Sequence, residues 1–149
     1  MKTLIVCVSM HHGNTKKVAD AMAGVLQADV VIPDDVTADT LVGYDVIGFG
    51  AGIAYGKHYK SLLEFVDSLP ALHKDVFVFS IRGAKSLRSY HQALKERLIA
   101  KRCEVIGEFS CRGFDTYGPA KIIGGIARGR PNEQDLRDAQ DFARTLERG

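Results

Sequence analysis

The sequence predicts an α/β domain of three layers, with helices on both faces of a five-stranded parallel sheet. Apolar runs of strand length alternate with segments of helical period along the whole chain. These runs are apolar at odd and even positions alike, so each strand needs cover on both faces, which helical crossovers between parallel strands supply. At 149 residues the chain has single-domain length, enough to bury about two thirds of its unfolded surface. Residues 1–149 are therefore read as one domain.

The strands are expected at Thr3–Val8, Val30–Ile32, Asp45–Gly50, Val76–Phe79 and Glu104–Phe109. Between the first two, Thr15–Gln27 sets Val18, Met22, Val25 and Leu26 on one stripe, as a helix docked on a sheet requires. His58–Leu69 repeats the pattern with Leu62, Phe65, Val66 and Leu69, and Pro70 closes it. Leu87, Tyr90, Leu94 and Leu98 mark the next helix. In the last, Asn132 is a good N-cap, Asp135 follows in the first turn, and Leu136, Ala139, Phe142, Ala143 and Leu146 form the apolar face. The crossover from Pro33 to Tyr44 offers only a short helix near Thr37–Leu41.

Composition excludes several classes. Hydrophobic residues at 46% and charged residues at 26% describe an ordinary globular chain rather than a disordered or membrane one. No apolar run reaches the ~20 residues of a membrane span, and no signal-peptide layout opens the chain, so the expectation is a cytoplasmic protein. Net charge is +2, from 20 Lys and Arg against 18 Asp and Glu spread along the chain, which makes no case for nucleic acid. Cys7, Cys103 and Cys111 form no close pair, so they read as buried or free thiols rather than a disulfide framework or metal site.

The chemistry begins at Ser9, Met10, His11, His12, Gly13, Asn14 and Thr15, where the first strand gives way to the first helix. Backbone N–H groups and the positive end of a helix dipole face whatever lies above the sheet there, and a phosphate is the natural occupant. Ser9 and Thr15 add hydroxyls, and Gly13 permits close approach of the backbone. The lysine of a Walker loop and the three-glycine dinucleotide fingerprint are both missing, which disfavours a nucleoside triphosphate or NAD.

Ser9, Gly13, Asn14 and Thr15, with Ala19 on the helix, resemble the phosphate-binding signature of the flavodoxin family. Tyr44–Gly56 is similar to that family's third strand and first isoalloxazine loop, with Ala51, Gly52, Ile53, Ala54, Tyr55 and Gly56 as the loop. Val78–Ala84 falls where the second flavin loop follows the fourth strand, with Ser80, Ile81, Arg82 and Gly83 nearest the cofactor. The resemblance covers nearly the whole chain. It implies a flavodoxin-like sheet of order 2-1-3-4-5, in which all three loops converge beyond the strand ends at the switch point. It further implies non-covalently bound FMN and an electron carrier, monomeric or weakly dimeric, working between a reductase and an acceptor protein. A backbone carbonyl in Gly50–Gly56 is the implied partner of flavin N5.

Other readings of these residues stay open. Tyr55 is either a surface aromatic or a flavin-stacking ring. Gly48, Gly50 and Gly52 serve strand packing or make room for a flavin. His11, His12 and His58 read as polar loop residues, and neither a metal site nor a catalytic residue is expected. Two departures from the family stand out. The chain is basic, with an isoelectric point near 8.4, and Lys57, His58, Arg82, Lys85 and Arg88 lie beside the flavin loops; this predicts a less negative potential than acidic flavodoxins have. The long segment 112–130 places Phe114, Asp115, Thr116 and Tyr117 to cover the flavin or a substrate, or else packs Ile122, Ile123 and Ile126 on the core. An alternative function is a small FMN-dependent oxidoreductase acting on a quinone, NAD(P)H or a protoporphyrinogen-type substrate. A third is a domain that has lost FMN and serves in signalling. It lacks the receiver domain's phosphorylatable carboxylate, because Cys7, Val8 and Ser9 occupy the end of the first strand.

Overall fold

The computed structural model describes residues 1–9, 13–82, 88–113 and 129–148. Its elements follow the expected alternation: β1 (Thr3–Val8), α1 (Asn14–Leu26), β2 (Asp29–Val31), α2 (Ala38–Val42), β3 (Val46–Ala54), β4 (Lys57–His58), α3 (Lys60–Asp67), β5 (Asp75–Arg82), α4 (Gln92–Ala100), β6 (Glu104–Arg112) and α5 (Glu133–Arg148). The five parallel strands stand in the order β2-β1-β3-β5-β6, and β4 is a short antiparallel addition to β3. With β4 set aside, this is the expected 2-1-3-4-5 order.

Two cores follow from the double covering of the sheet. On one face Leu4, Val6, Ile47, Phe49, Val76 and Val78 pack against α2, α3 and α4. On the other, Ile5, Cys7, Phe77, Phe79 and Ile81 meet Val18, Met22 and Leu26 of α1 and Ala139, Ala143 and Leu146 of α5. Each fully buried aliphatic or phenyl side chain contributes roughly 1.5–3 kcal/mol by leaving water. Edge strand β6 alternates exposed and half-buried residues, and an extra residue between Val105 and Gly107 shifts its register against β5.

Local chemistry explains the helix ends. Asn132 and Asp135 cap α5 reciprocally: the Asp135 N–H donates to Asn132 Oδ1 at 2.9 Å and the Asn132 N–H to Asp135 Oδ2 at 2.8 Å. Arg130 reinforces that corner with a bond from Nη2 to Asp135 Oδ1 at 2.7 Å. Thr37 caps α2, so the short helix in the second crossover forms close to where it was expected.

Strands β3, β5 and β6 run three to four residues beyond their expected ends. The glycines of β3 decide between their two readings. A Cβ on Gly48 would lie 2.2 Å from the Phe77 ring, one on Gly50 2.2 Å from Phe79, and one on Gly52 2.6 Å from Tyr59. These positions make room for the protein's own aromatic rings. Gly48→Ala is expected to destabilise the fold by about 1–3 kcal/mol through overpacking. Gly24→Ala, on α1 with open space around it, is expected to stabilise by about 0.5–1 kcal/mol. Urea unfolding of the two variants checks the contrast.

Candidate functional site

Parallel strands end together, so the residues that follow β1, β3, β5 and β6 share one edge of the sheet. Gly113, just past β6, sits where a Cβ would strike Ile81 at 2.4 Å and approach Asn14 Nδ2 to 3.0 Å. The start of α1 and the ends of β5 and β6 therefore meet in one place.

At the first of these turns Gly13 adopts φ +66 and leads into α1, with open space where a Cβ would stand. No acidic residue occupies the first turn of the helix. Ser9 Oγ accepts the Lys16 N–H at 3.2 Å, which leaves the hydroxyl hydrogen to donate elsewhere. Asn14 and Thr15 are buried. Met10, His11 and His12 lie outside the described residues. A donor-rich helix start without a carboxylate suits a dianion.

Ala51, Gly52, Ile53 and Ala54 are the last four residues of β3, and Tyr55 and Gly56 form the tip of a hairpin to β4. Both tip residues have positive φ, +54 and +79, which matches the handedness of a two-residue hairpin turn. For Tyr55 that conformation costs about 1–2 kcal/mol. The residue stands 85% exposed at the hairpin tip.

His58 departs from its expected role as a polar loop residue at the start of a helix. It pairs with Ile53 in β4, is 1% exposed, and α3 begins only at Lys60. Its Nε2–H donates to the Phe79 carbonyl at 2.8 Å, and Nδ1 has no partner among the described residues. Burial pushes its pKa down to about 4, against the opposing pull of the Phe79 carbonyl. His58 is therefore neutral near pH 7 and drops out of the cations expected beside the cofactor.

At the second turn Ser80, Ile81 and Arg82 are the last residues of β5, while Gly83 and Lys85 lie outside the described residues. Ser80 is fully buried and turned into the α3–α4 side, so its hydroxyl does not reach the open edge. There it bonds His91 Nε2 at 2.7 Å and donates to Ser110 Oγ at 2.8 Å. Arg82 is half-buried, with Nη1 donating to Ser110 Oγ at 2.9 Å and a buried Nε without a partner among the described residues. An orphaned guanidinium N–H at this edge is a second feature that suits an anionic or carbonyl-bearing ligand. The segment 114–128, including the expected cover Phe114–Tyr117 and the isoleucines, lies outside the described residues.

Two clefts flank the edge. One of about 500 Å³ borders Val8, Ser9, Pro33 and Phe65. The other, about 720 Å³, lies between the hairpin and α3, lined by Tyr55, Tyr59, Leu63 and Arg97. The thiols take no part: burial, reinforced by Asp20 and Asp135 respectively, pushes Cys7 up to about 11 and Cys111 up to about 12.

A family model described as a flavodoxin domain matches residues 5–110. The chain belongs to the flavodoxin family. A Methanocaldococcus jannaschii relative known as uncharacterized protein MJ0298 is 43% identical over 147 residues, covering 98% of each chain. Oxidised flavodoxin 2 from Bacillus cereus shares the fold with a TM-score of 0.75 at 19% identity, covering 99% of both chains. A Lactobacillus acidophilus flavoprotein in complex with FMN matches 73% of this chain and 92% of its own, with TM-score 0.62 and 17% identity.

Within this flavodoxin frame the buried His58 is the residue that sequence reasoning misplaced. Its unfolded form takes up a proton below pH ~6.5, whereas the folded form does so only near pH 4. Stability is therefore lost as pH falls through that window, by on the order of 3 kcal/mol from this group. In His58→Gln that share of the acid destabilisation should vanish. Urea midpoints between pH 7.5 and 4 test it, and parallel curves for the two proteins would contradict it.

Proposed function

We propose that this flavodoxin-family chain binds FMN non-covalently at the carboxyl edge of its sheet and passes electrons through it between a reductase and an acceptor protein. The observation that supports this most directly is the carboxylate-free helix start behind Gly13, which Gly113 brings up to the end of β5, where the Nε of Arg82 has no partner among the described residues. Ser9, Gly13, Asn14 and Thr15, together with Met10, His11 and His12, would hold the phosphate. The residues Ala51–Gly56 and Ile81–Gly83 would hold the ring from either side, with Ser80 supporting from within.

The flavin supplies the redox chemistry when bound. The chain's own part is to orient it and to set the charge around it. Arg82 brings a permanent cation to the site, and Arg112 and Arg130 lie near enough to lower its proton affinity further after burial has done so. A cation ~6 Å from a developing negative charge, at an effective dielectric of ~20, favours that charge by about 2–3 kcal/mol. The expected potential is accordingly less negative than that of an acidic flavodoxin.

The 720 Å³ cleft beside Tyr55 and Tyr59 favours a second reading, an oxidoreductase in which a quinone, NAD(P)H or similar small molecule meets the flavin directly. Rapid turnover of such a substrate by the purified protein alone would select it over the carrier.

Freshly purified protein is expected to show flavin absorption in the blue and near ultraviolet that survives desalting, with FMN rather than FAD released on denaturation. Thr15→Val should weaken FMN binding by about 1.5–3 kcal/mol through the lost hydrogen bond to charge, and undiminished affinity would overturn the assigned loop. Arg82→Ala should move the potential to a more negative value in a spectroelectrochemical titration; an unchanged potential would remove Arg82 from this role.

A further inference from the structure

Behind the cofactor edge lies a chain of polar side chains that the binding of FMN does not require. It starts at the surface with Lys95, whose Nζ donates to Glu108 Oε2 at 3.0 Å. Glu108 Oε1 lies 2.9 Å from His91 Nδ1, and His91 Nε2 lies 2.7 Å from Ser80 Oγ. Ser80 donates to Ser110 at 2.8 Å, and Ser110 also accepts Arg82 Nη1 at 2.9 Å. Ser80 and His91 are buried, whereas the Glu108 side chain is 41% exposed and so touches water.

Serine, imidazole and carboxylate in this order also describe a nucleophile with its base and orienting acid. That reading fails on access. Ser80 is fully buried and bonded to Ser110 within the sheet.

The hydrogen-bond directions are instead tied to the protonation state of His91. Burial raises the Glu108 carboxyl, but Lys95 and His91 together hold it below the usual range, so it is ionised and only accepts. His91 Nδ1 must therefore donate. Where the hydrogen of Ser80 points to Ser110, Nε2 donates to Ser80 and His91 is an imidazolium; burial, the largest influence, holds its pKa below the usual histidine value, so the neutral ring is the resting form near pH 7. Its surroundings contest that charge. Burial disfavours it, Glu108 of β6 favours it, and Lys95 of α4 and Arg82 of β5 oppose it. From β4 the neutral His58 ring lies 5.1 Å away. When His91 gives up the Nε2 proton, that nitrogen becomes an acceptor. Ser80 then turns its hydrogen onto His91, and Ser110 turns its own onto Ser80. Ser110 meets Arg82 with a different hydroxyl orientation in the two states.

We propose that Glu108, His91, Ser80 and Ser110 form a proton-linked positioning relay for Arg82, in which His91 takes up one proton from solvent when negative charge arrives at the cofactor edge. The second half of this statement rests on the FMN reading above; the first does not. An anion beside Arg82 offsets the repulsion that Arg82 exerts on His91, so the two cations become compatible. By linkage, reduction then carries an additional proton into the protein, at His91 rather than on the flavin.

The relay is tested first in cofactor-free protein by nitrogen NMR of the histidine and arginine side chains over about pH 5 to 9. The Arg82 Nε signal should shift with the midpoint of His91, and Ser80→Ala should abolish that shift while His91 still titrates. An Arg82 signal that ignores His91, or a coupling that survives Ser80→Ala, overturns the relay. In FMN-loaded protein, reduction should tighten proton binding at His91 roughly tenfold, one pH unit. His91→Gln should remove one proton from the pH dependence of the potential. An unchanged potential–pH profile in His91→Gln overturns the link to reduction. Failure of FMN to bind would instead refute the cofactor reading, and with it the link, leaving the cofactor-free titration to decide the relay.

Discussion

Parallel pairing in register carries Val8, Ala51, Ser80 and Ser110 into one row across four strands, and the chemistry of this molecule depends on that row. Residues paired in a parallel sheet point to the same face. The two serine hydroxyls therefore stand side by side on the α3–α4 face, close enough to bond. Two residues further along, Arg82 and Arg112 pair at the very end of the sheet. Neighbouring like charges of this kind are destabilising unless something anionic shares the edge. A slip of β6 by one residue would send Ser110 to the opposite face, and the polar chain from Arg82 to Lys95 could not form.

The extra residue near Val105 is what makes the register right. Before it, Val76 pairs with Val105; after it, Phe77 pairs with Gly107. The shift brings Glu108 and Ser110 onto the face that β5 presents at Val78 and Ser80. Gly107, whose missing side chain leaves room for Phe142 of α5, lies on the other face with Phe77. One inserted residue on an edge strand thus aligns the polar groups on one side and the aromatic packing on the other, at a cost in ladder hydrogen bonds that an edge strand tolerates.

Much of this was legible beforehand because it rests on local patterns. The strand-helix alternation, the strand order and the Asn132–Asp135 cap all follow from periodicity and short-range chemistry. The extensions of β3, β5 and β6 did not, since Ser80, Arg82, Ser110 and Arg112 look like loop residues until a neighbouring strand supplies their ladder. His58 was misread for a related reason. Its burial comes from the tight turn at Tyr55 and Gly56, and a tyrosine in a left-handed position gives no sequence signal of a hairpin. The relay joins residues 17 to 30 positions apart; the distance from His91 to Ser80, 11 positions, is shorter but spans a segment whose course sequence does not reveal. Glycine spacing in β3 was visible, yet only the cross-strand rings of Phe77 and Phe79 assign it to packing.

Buried polar groups at the end of an otherwise apolar sheet carry a cost. An unsatisfied buried donor or acceptor costs about 1–3 kcal/mol, and among the described residues His58 Nδ1 and Arg82 Nε are two such atoms at the carboxyl end of the sheet, with Thr3 Oγ1 a third at the amino end of β1. Apolar residues at these positions would give a more stable sheet edge, as the rest of both cores does. The left-handed Tyr55 and the neighbouring Arg82 and Arg112 stand at the same carboxyl end of the strands. The two orphaned atoms at that end differ in what they ask of a partner. Arg82 Nε offers a proton at the end of β5 and calls for an acceptor, whereas His58 Nδ1 offers a lone pair within the core and calls for a donor. Arg82 carries its charge permanently whereas His58 is neutral, so charge at the end of β5, rather than at the histidine, governs what the site can hold.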